Sequence, residues 1–318
     1  MISRRLLRIK TLQALYAFNR KEGDDLVPAE RELNVSVNKA YDLYLYMLIM
    51  FVELASVAEK RIETGLQKKV PQWEDLNPNR RFVNNRIIKK LVDSEELWKL
   101  TSERVVTWNG YSEIPRVLFS RITEWSLYNE YITSPEDNII ADRKFLNNLL
   151  QWLLTGSEDL LLHLEERSIY WNDDLDYAIM MVEKTFRKIT EAGDDEIKIL
   201  PLYKNTEDEE FAIVLLRNSL LRDRDLKKLI DSNTTNWEIE RIALMDTLVM
   251  QLAIAEIISF PEIPVRVTLN EYIEIAKYYS TSKSSTFING ILDKVVREMR
   301  SGNMFEKTGR GLIGETEK

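Results

Sequence analysis

Between residues 237 and 296 the chain carries three successive amphipathic periods, and this stretch limits what the whole can fold into. Ile242, Met245, Leu248, Val249, Leu252 and Ala255 recur at the i, i+3, i+4, i+7 spacing of one buried helix face. Thr235 stands three residues before Glu238, the capping-box pattern of a helix start. Pro261 and Pro264 close that helix, and Thr268 with Glu271 repeats the capping box ahead of Tyr272, Ile273 and Ala276. A third period runs through Phe287, Ile288, Ile291, Leu292, Val295 and Val296. The spacing predicts a compact helical bundle, which by itself names no function.

The particular residues on these helices say more. Glu256, Ile263-Pro264, Leu269-Asn270-Glu271, Ala276-Lys277 and Phe287-Ile288-Asn289-Gly290-Ile291-Leu292-Asp293 resemble the carboxy-terminal half of the NusB family, in order and with its gaps. Arg4-Arg5-Leu6-Leu7-Arg8 followed by Gln13-Ala14-Leu15-Tyr16 resembles the opening helix of the same family. The middle of the chain carries no such pattern.

The resemblance implies an all-α, NusB-like bundle split by a helical insertion. Residues 1–21 are its first helix, 22–201 an acidic helical insertion, 202–300 the remainder of the core, and 301–318 a flexible tail. It further implies a non-enzymatic, cytoplasmic RNA-binding transcription antitermination factor. Such a factor binds a boxA-like element of single-stranded nascent RNA together with the NusE ribosomal protein, within the RNA polymerase antitermination complex. By the same resemblance Arg4, Arg5 and Arg8 hold phosphates, and Tyr16 and Phe287 meet bases or ribose. Ser284 and Ser285 would cap the last helix and offer hydroxyls and amides to a phosphate. Gln251 stands where the family often has a basic residue, which puts one phosphate contact in doubt. Asn289 reads as a structural hydrogen-bonder and Gly290 as a close helix–helix approach.

Charge is distributed in keeping with this. The net charge is −8, yet residues 1–21 hold six Lys or Arg and no acid, while residues 22–205 hold 23 basic and 33 acidic side chains. A basic end on an acidic body favours a focused anionic contact over general coating of nucleic acid. An acidic insertion that is itself the main binding surface, a protein-interaction scaffold, is the alternative reading. The same bundle precedes a methyltransferase domain in some RNA-modifying enzymes, and no cofactor-binding domain is expected here.

The remaining motifs read as structure. The apolar run 43–52 is too short to cross a bilayer and predicts a buried central helix, with further helices near 80–92, 113–131 and 136–155. Asp159-Leu160 to Trp171 parallels Asp225-Leu226 to Trp237, a faint internal repeat. Six of seven tryptophans lie in the middle part and predict core packing. His163, the single histidine, sits among leucines as a core residue, and Asp173, Asp174 and Asp176 suit a helix N-terminus better than a metal. Gly309 to Gly314 spells G-x-G-x-x-G without the strand and helix a dinucleotide site needs. With no cysteine, no P-loop and no serine–histidine pair, the sequence gives no warrant for catalysis, a metal or a cofactor. The basic start lacks the cleavage site and long apolar core of a signal peptide.

Overall fold

The computed structural model describes residues 1–21, 25–190, 197–234, 242–281 and 283–314. The described residues are helical, with no strand among them. They form two compact units that divide inside one helix after Val37 and again after Leu202; residue 1 groups with the segment 38–202. The sequence reading put these divisions after 21 and 201. The capping box of Thr235 and Glu238, and Trp237 of the internal repeat, lie outside the described residues.

The helices in chain order begin with α1 (Arg4–Arg20) and α2 (Leu26–Leu66), which carries the inter-unit boundary. Within the 38–202 unit follow α3 (Trp73–Leu76), α4 (Arg86–Val92), α5 (Glu95–Arg104) and α6 (Glu113–Glu124). Then come α7 (Ser126–Thr133), α8 (Ile139–Gly156), α9 (Glu158–Arg167) and α10 (Leu175–Lys188). The other unit continues with α11 (Thr206–Leu221), α12 (Asp223–Ser232), α13 (Leu244–Ser259), α14 (Val265–Tyr279) and α15 (Ser284–Ser301).

In the 38–202 unit the apolar run belongs to a helix of 41 residues. Pro28 falls in its first turn, where a missing N–H is harmless. This helix is long and apolar enough to span a membrane, but 78% of its most apolar window is buried inside the protein, as in a core helix. Tyr46 stacks on Trp108 with ring centres 4.2 Å apart, and its hydroxyl meets His163 Nε2 at 2.6 Å. The tryptophans divide: Trp108 and Trp171 are buried, whereas Trp73 is 72% exposed. The expected helix over 113–131 breaks at Trp125, whose extended backbone turns its indole onto Trp152 at 4.9 Å.

His163 is expected to make the stability of this unit pH-dependent. Burial is the largest influence and lowers its pKa, Arg167 lowers it further, and Glu166 opposes them. The unfolded chain therefore takes up the proton first, near its ordinary value of about 6.5, and stability falls as pH drops below that value. Melting temperatures from pH 7.5 to 5 are expected to decline more steeply for wild type than for His163→Gln. Parallel profiles would show that the imidazole is not desolvated.

In the second unit α13 is buried on nearly every side, from Thr247 to Ile257. The stretch after α15, expected to be a flexible tail, is tied to the end of this helix. Lys307 is buried and its Nζ donates to the carbonyls of Ile257 (2.9 Å) and Phe260 (3.0 Å). That places a cation on the negative end of the helix dipole. Thr308 N donates to Pro261 O at 3.0 Å, and a Cβ at Gly311 would stand 1.9 Å from the same oxygen. Of the glycines in the G-x-G-x-x-G match, Gly311 therefore serves a tight approach to a loop, whereas Gly309 and Gly314 take positive φ in open space.

Candidate nucleic-acid interface

Helix α1 packs chiefly against α11 and α13, and its arginines divide by helix face. Ser3 caps the helix by accepting from Leu6 N at 3.2 Å, as its position predicts. Arg8 stands at i, i+4, i+7 with Leu12 and Leu15, both fully buried, so the periodicity carries it inward. Arg5, about 60° around the helix from Arg8, lies on the neighbouring outer stripe with Ile9 and Tyr16, the latter 37% exposed.

Arg8, 3% exposed, forms a two-pronged pair with Glu256: Nε and Nη2 each donate at 2.7 Å. Thr268 Oγ1 and Tyr272 Oη donate to the same carboxylate at 2.8 and 3.1 Å. Four donors thus fill the acceptor sites of a carboxylate that has no access to water. Burial is the largest influence on Arg8 and pushes its pKa down. The hydrogen bonds and charge of Glu256 outweigh it, and the guanidinium is raised above its ordinary value. Tyr272 is raised well above the usual phenol range by burial, then by Glu256.

This arrangement corrects the second capping box. Pro264 already occupies the N-cap position of α14, so Thr268 and Glu271 lie inside the helix and are free to face Glu256 and Arg5.

The outer arginines are also paired. Arg5 donates Nε and Nη2 to Glu271 at 2.9 and 2.8 Å and remains half exposed. Those bonds hold Glu271 below the usual carboxylate range against its partial burial, with the charges of Arg8 and Arg5 adding to them. Arg4 Nε donates to Asp208 at 2.7 Å, with Glu207 at 3.5 Å from Nη2. The guanidiniums of Arg4 and Arg8 lie 5.4 and 5.3 Å from the ring centre of Phe211, which joins them to the core.

The other expected site residues are placed as follows. Gln251 is fully buried; its Nε2 donates to Ser219 O and Asp223 Oδ1, both at 3.0 Å, so its amide nitrogen is spent on α11 and α12. Ser284 is the first residue of α15, after Lys283 at the N-cap, and its hydroxyl donates to Asp246 Oδ2 at 2.8 Å. Ser280 donates to the other oxygen of Asp246. Ser284 therefore fastens α15 to α13 and has no free hydroxyl proton for a phosphate. Ser285 and Phe287 are half-buried on the outer part of α15. Among the described residues nothing lies within 4 Å of a Cβ built at Gly290, so no described helix approaches it closely, and Asn289 makes no side-chain hydrogen bond. Among the described residues no cluster of His, Asp and Glu is suited to a metal.

Sequence reasoning missed the role of Glu256, though its signal was present. It is a lone carboxylate late in a helix that is otherwise apolar on every face, and such a charge requires a buried cation.

Residues 173–297 match the NusB family. The transcription antitermination protein NusB of Salinibacter ruber is 39% identical over 115 residues, 36% of this chain and 72% of that protein. The chain belongs to the NusB family. The protein of the same name from Koribacter versatilis is 36% identical over 118 residues, 37% of this chain and 73% of that protein. That from Chloroherpeton thalassium is 40% identical over 105 residues, 33% of this chain and half of that protein. No solved structure matches the chain. The NusB match starts two residues before α10 and ends within α15, so α1 lies before it and the Arg8–Glu256 pair joins α1 to the matched part.

Proposed function

We propose that this chain is a cytoplasmic transcription antitermination factor that binds a boxA-like element of single-stranded RNA together with the NusE ribosomal protein, acting on RNA polymerase. The observation that carries the reading is the 39% identity spanning 72% of the Salinibacter ruber antitermination protein. The α1 face supports it: Arg4, Arg5 and Tyr16 reach solvent, and Phe287 and Ser285 are partly accessible on α15. Arg8 and Gln251 have roles inside the protein, the first locking α1 onto α13 and the second joining α13 to α11 and α12.

Titration of a short single-stranded RNA tests the contacts. Arg4→Ala with Arg5→Ala is expected to lower the salt slope by about 1.4, from roughly 0.7 per phosphate for single strands. Affinity is expected to fall further than the slope implies, because Glu271 and Asp208 are then left unpaired against the phosphates. Phe287→Ala is expected to weaken binding by about 1–3 kcal/mol if the ring stacks on a base. A large loss of melting temperature with unchanged affinity would instead make that ring a core residue. An unaltered slope in the double variant would remove Arg4 and Arg5 from the interface.

A protein partner for the 38–202 unit is the second reading. Its basis is a short exposed apolar segment, with Val70 77%, Trp73 72% and Leu76 57% exposed. Strong binding of a protein partner with no measurable RNA affinity would favour it over the first.

A further inference from the structure

A cleft of about 290 Å³ lies on the α14–α15 side of the second unit and is lined in part by Ile313 and Gly314. This is just below the roughly 300–1,000 Å³ of small-ligand sites. Its chemistry differs from that of the α1 face, where Arg4, Arg5 and Arg8 each have a carboxylate partner. Arg266 and Arg297 line the cleft, and neither has an ion pair or side-chain hydrogen bond among the described residues. Asp293 lines it too and pairs with neither of them. Asn270 and Asn289 add two carboxamides, again without side-chain hydrogen bonds. Leu269, Val296 and Ile313 supply an apolar strip.

Each component selects for part of a ligand. A guanidinium with its donors uncommitted fits a phosphate in two-pronged fashion. A carboxamide places a donor beside an acceptor, which matches the hydrogen-bonding edge of a base. An apolar strip accepts the flat face of that base. Asp293 disfavours a ligand that is only an anion, yet accepts from an exocyclic amino group. We propose that this cleft is a nucleotide subsite, with Arg266 and Arg297 on a phosphate and Asn270 and Asn289 on a base edge.

The nucleotide is supplied either by single-stranded RNA bound at α1 or as a free mononucleotide. The first source rests on the RNA reading given above. Both Asn270 of the cleft and Glu271, the partner of Arg5, stand on α14, about 100° apart around that helix.

The test uses the full chain, a labelled twelve-nucleotide single-stranded RNA, and separately UMP and AMP. For Arg266→Gln with Arg297→Gln, the RNA Kd is expected to rise at least about tenfold, as loss of charged hydrogen bonds implies. The salt slope is expected to fall by about 0.7 to 1.4. Asn289→Ala is expected to raise Kd with the slope unchanged. If wild type binds RNA, the cleft variants match it in Kd and slope, and neither mononucleotide shifts the Asn270 and Asn289 amide signals, the subsite is overturned and the α1 reading stands. If RNA fails to bind wild type but a mononucleotide shifts those signals, the subsite holds free nucleotide and the RNA reading fails. If neither ligand binds, both are overturned.

Discussion

Replacing Glu256 with alanine is expected to remove about 3–5 kcal/mol of stability, the usual effect of breaking a buried pair from one side. Arg8 would be left at 3% exposure with its counter-charge gone, and Thr268 and Tyr272 would lose an acceptor. Arg8→Ala is expected to do comparable harm by stranding the carboxylate. Arg8→Met with Glu256→Leu is expected to recover most of the loss, because apolar pairs of similar volume often replace buried ion pairs without penalty. Thermal melting followed by circular dichroism reads all three. A double variant as unstable as either single one would show that the pair stabilises by more than mutual neutralisation.

The second large effect concerns the fragment 203–318. Alone it keeps Glu256 and lacks α1, so a carboxylate with no cation sits in a helix buried from Thr247 to Ile257. The exposed apolar surface of α11 and α13 adds to the defect, since α1 covers both. This fragment is expected to lack cooperative unfolding. Joining residues 1–37 to residue 203 through a Gly/Ser linker is expected to restore helicity, a cooperative melt and RNA binding. A fragment that melts cooperatively without α1 would overturn the dependence of this unit on its first helix.

Much of this was legible in the sequence. The helical periods of α13 to α15 and the opening helix α1 recur in the structure, and so does the all-α class. What escaped notice has physical causes. The break at Trp125 has no proline or glycine to announce it, because the turn serves an indole stack made across the fold. Thr268 and Glu271 imitate a capping box three residues inside a helix that a proline had already begun. At the interface, Arg4, Arg5 and Arg8 share about a third of the helix circumference, and spacing alone does not show that Arg8, between the other two, meets the buried Glu256. Arg8 follows the stripe of Leu12 and Leu15 into the core, while Arg5 follows Tyr16 to the surface. The arginines of the α14–α15 cleft were silent because nothing local distinguishes an uncommitted charge from a paired one.

The Arg8–Glu256 contact spans 248 residues of sequence, and that separation imposes an order on folding during synthesis. At about 5–20 residues per second the ribosome takes roughly 12–50 s to travel from one partner to the other. Residues 38–202 are contiguous and can complete their own unit in that interval. For most of it, α1 waits without α11 and α13, a basic amphipathic segment whose buried arginine is still in water. Only when α13 and α14 have emerged can Arg8 be drawn inward while Arg5 is fixed at the surface by Glu271. A ribosome halted between residues 202 and 256 would therefore carry the whole sequence of the 38–202 unit and an α1 still without Glu256. By this sequence of events, the unit with which α1 packs is the last part of the molecule to become competent.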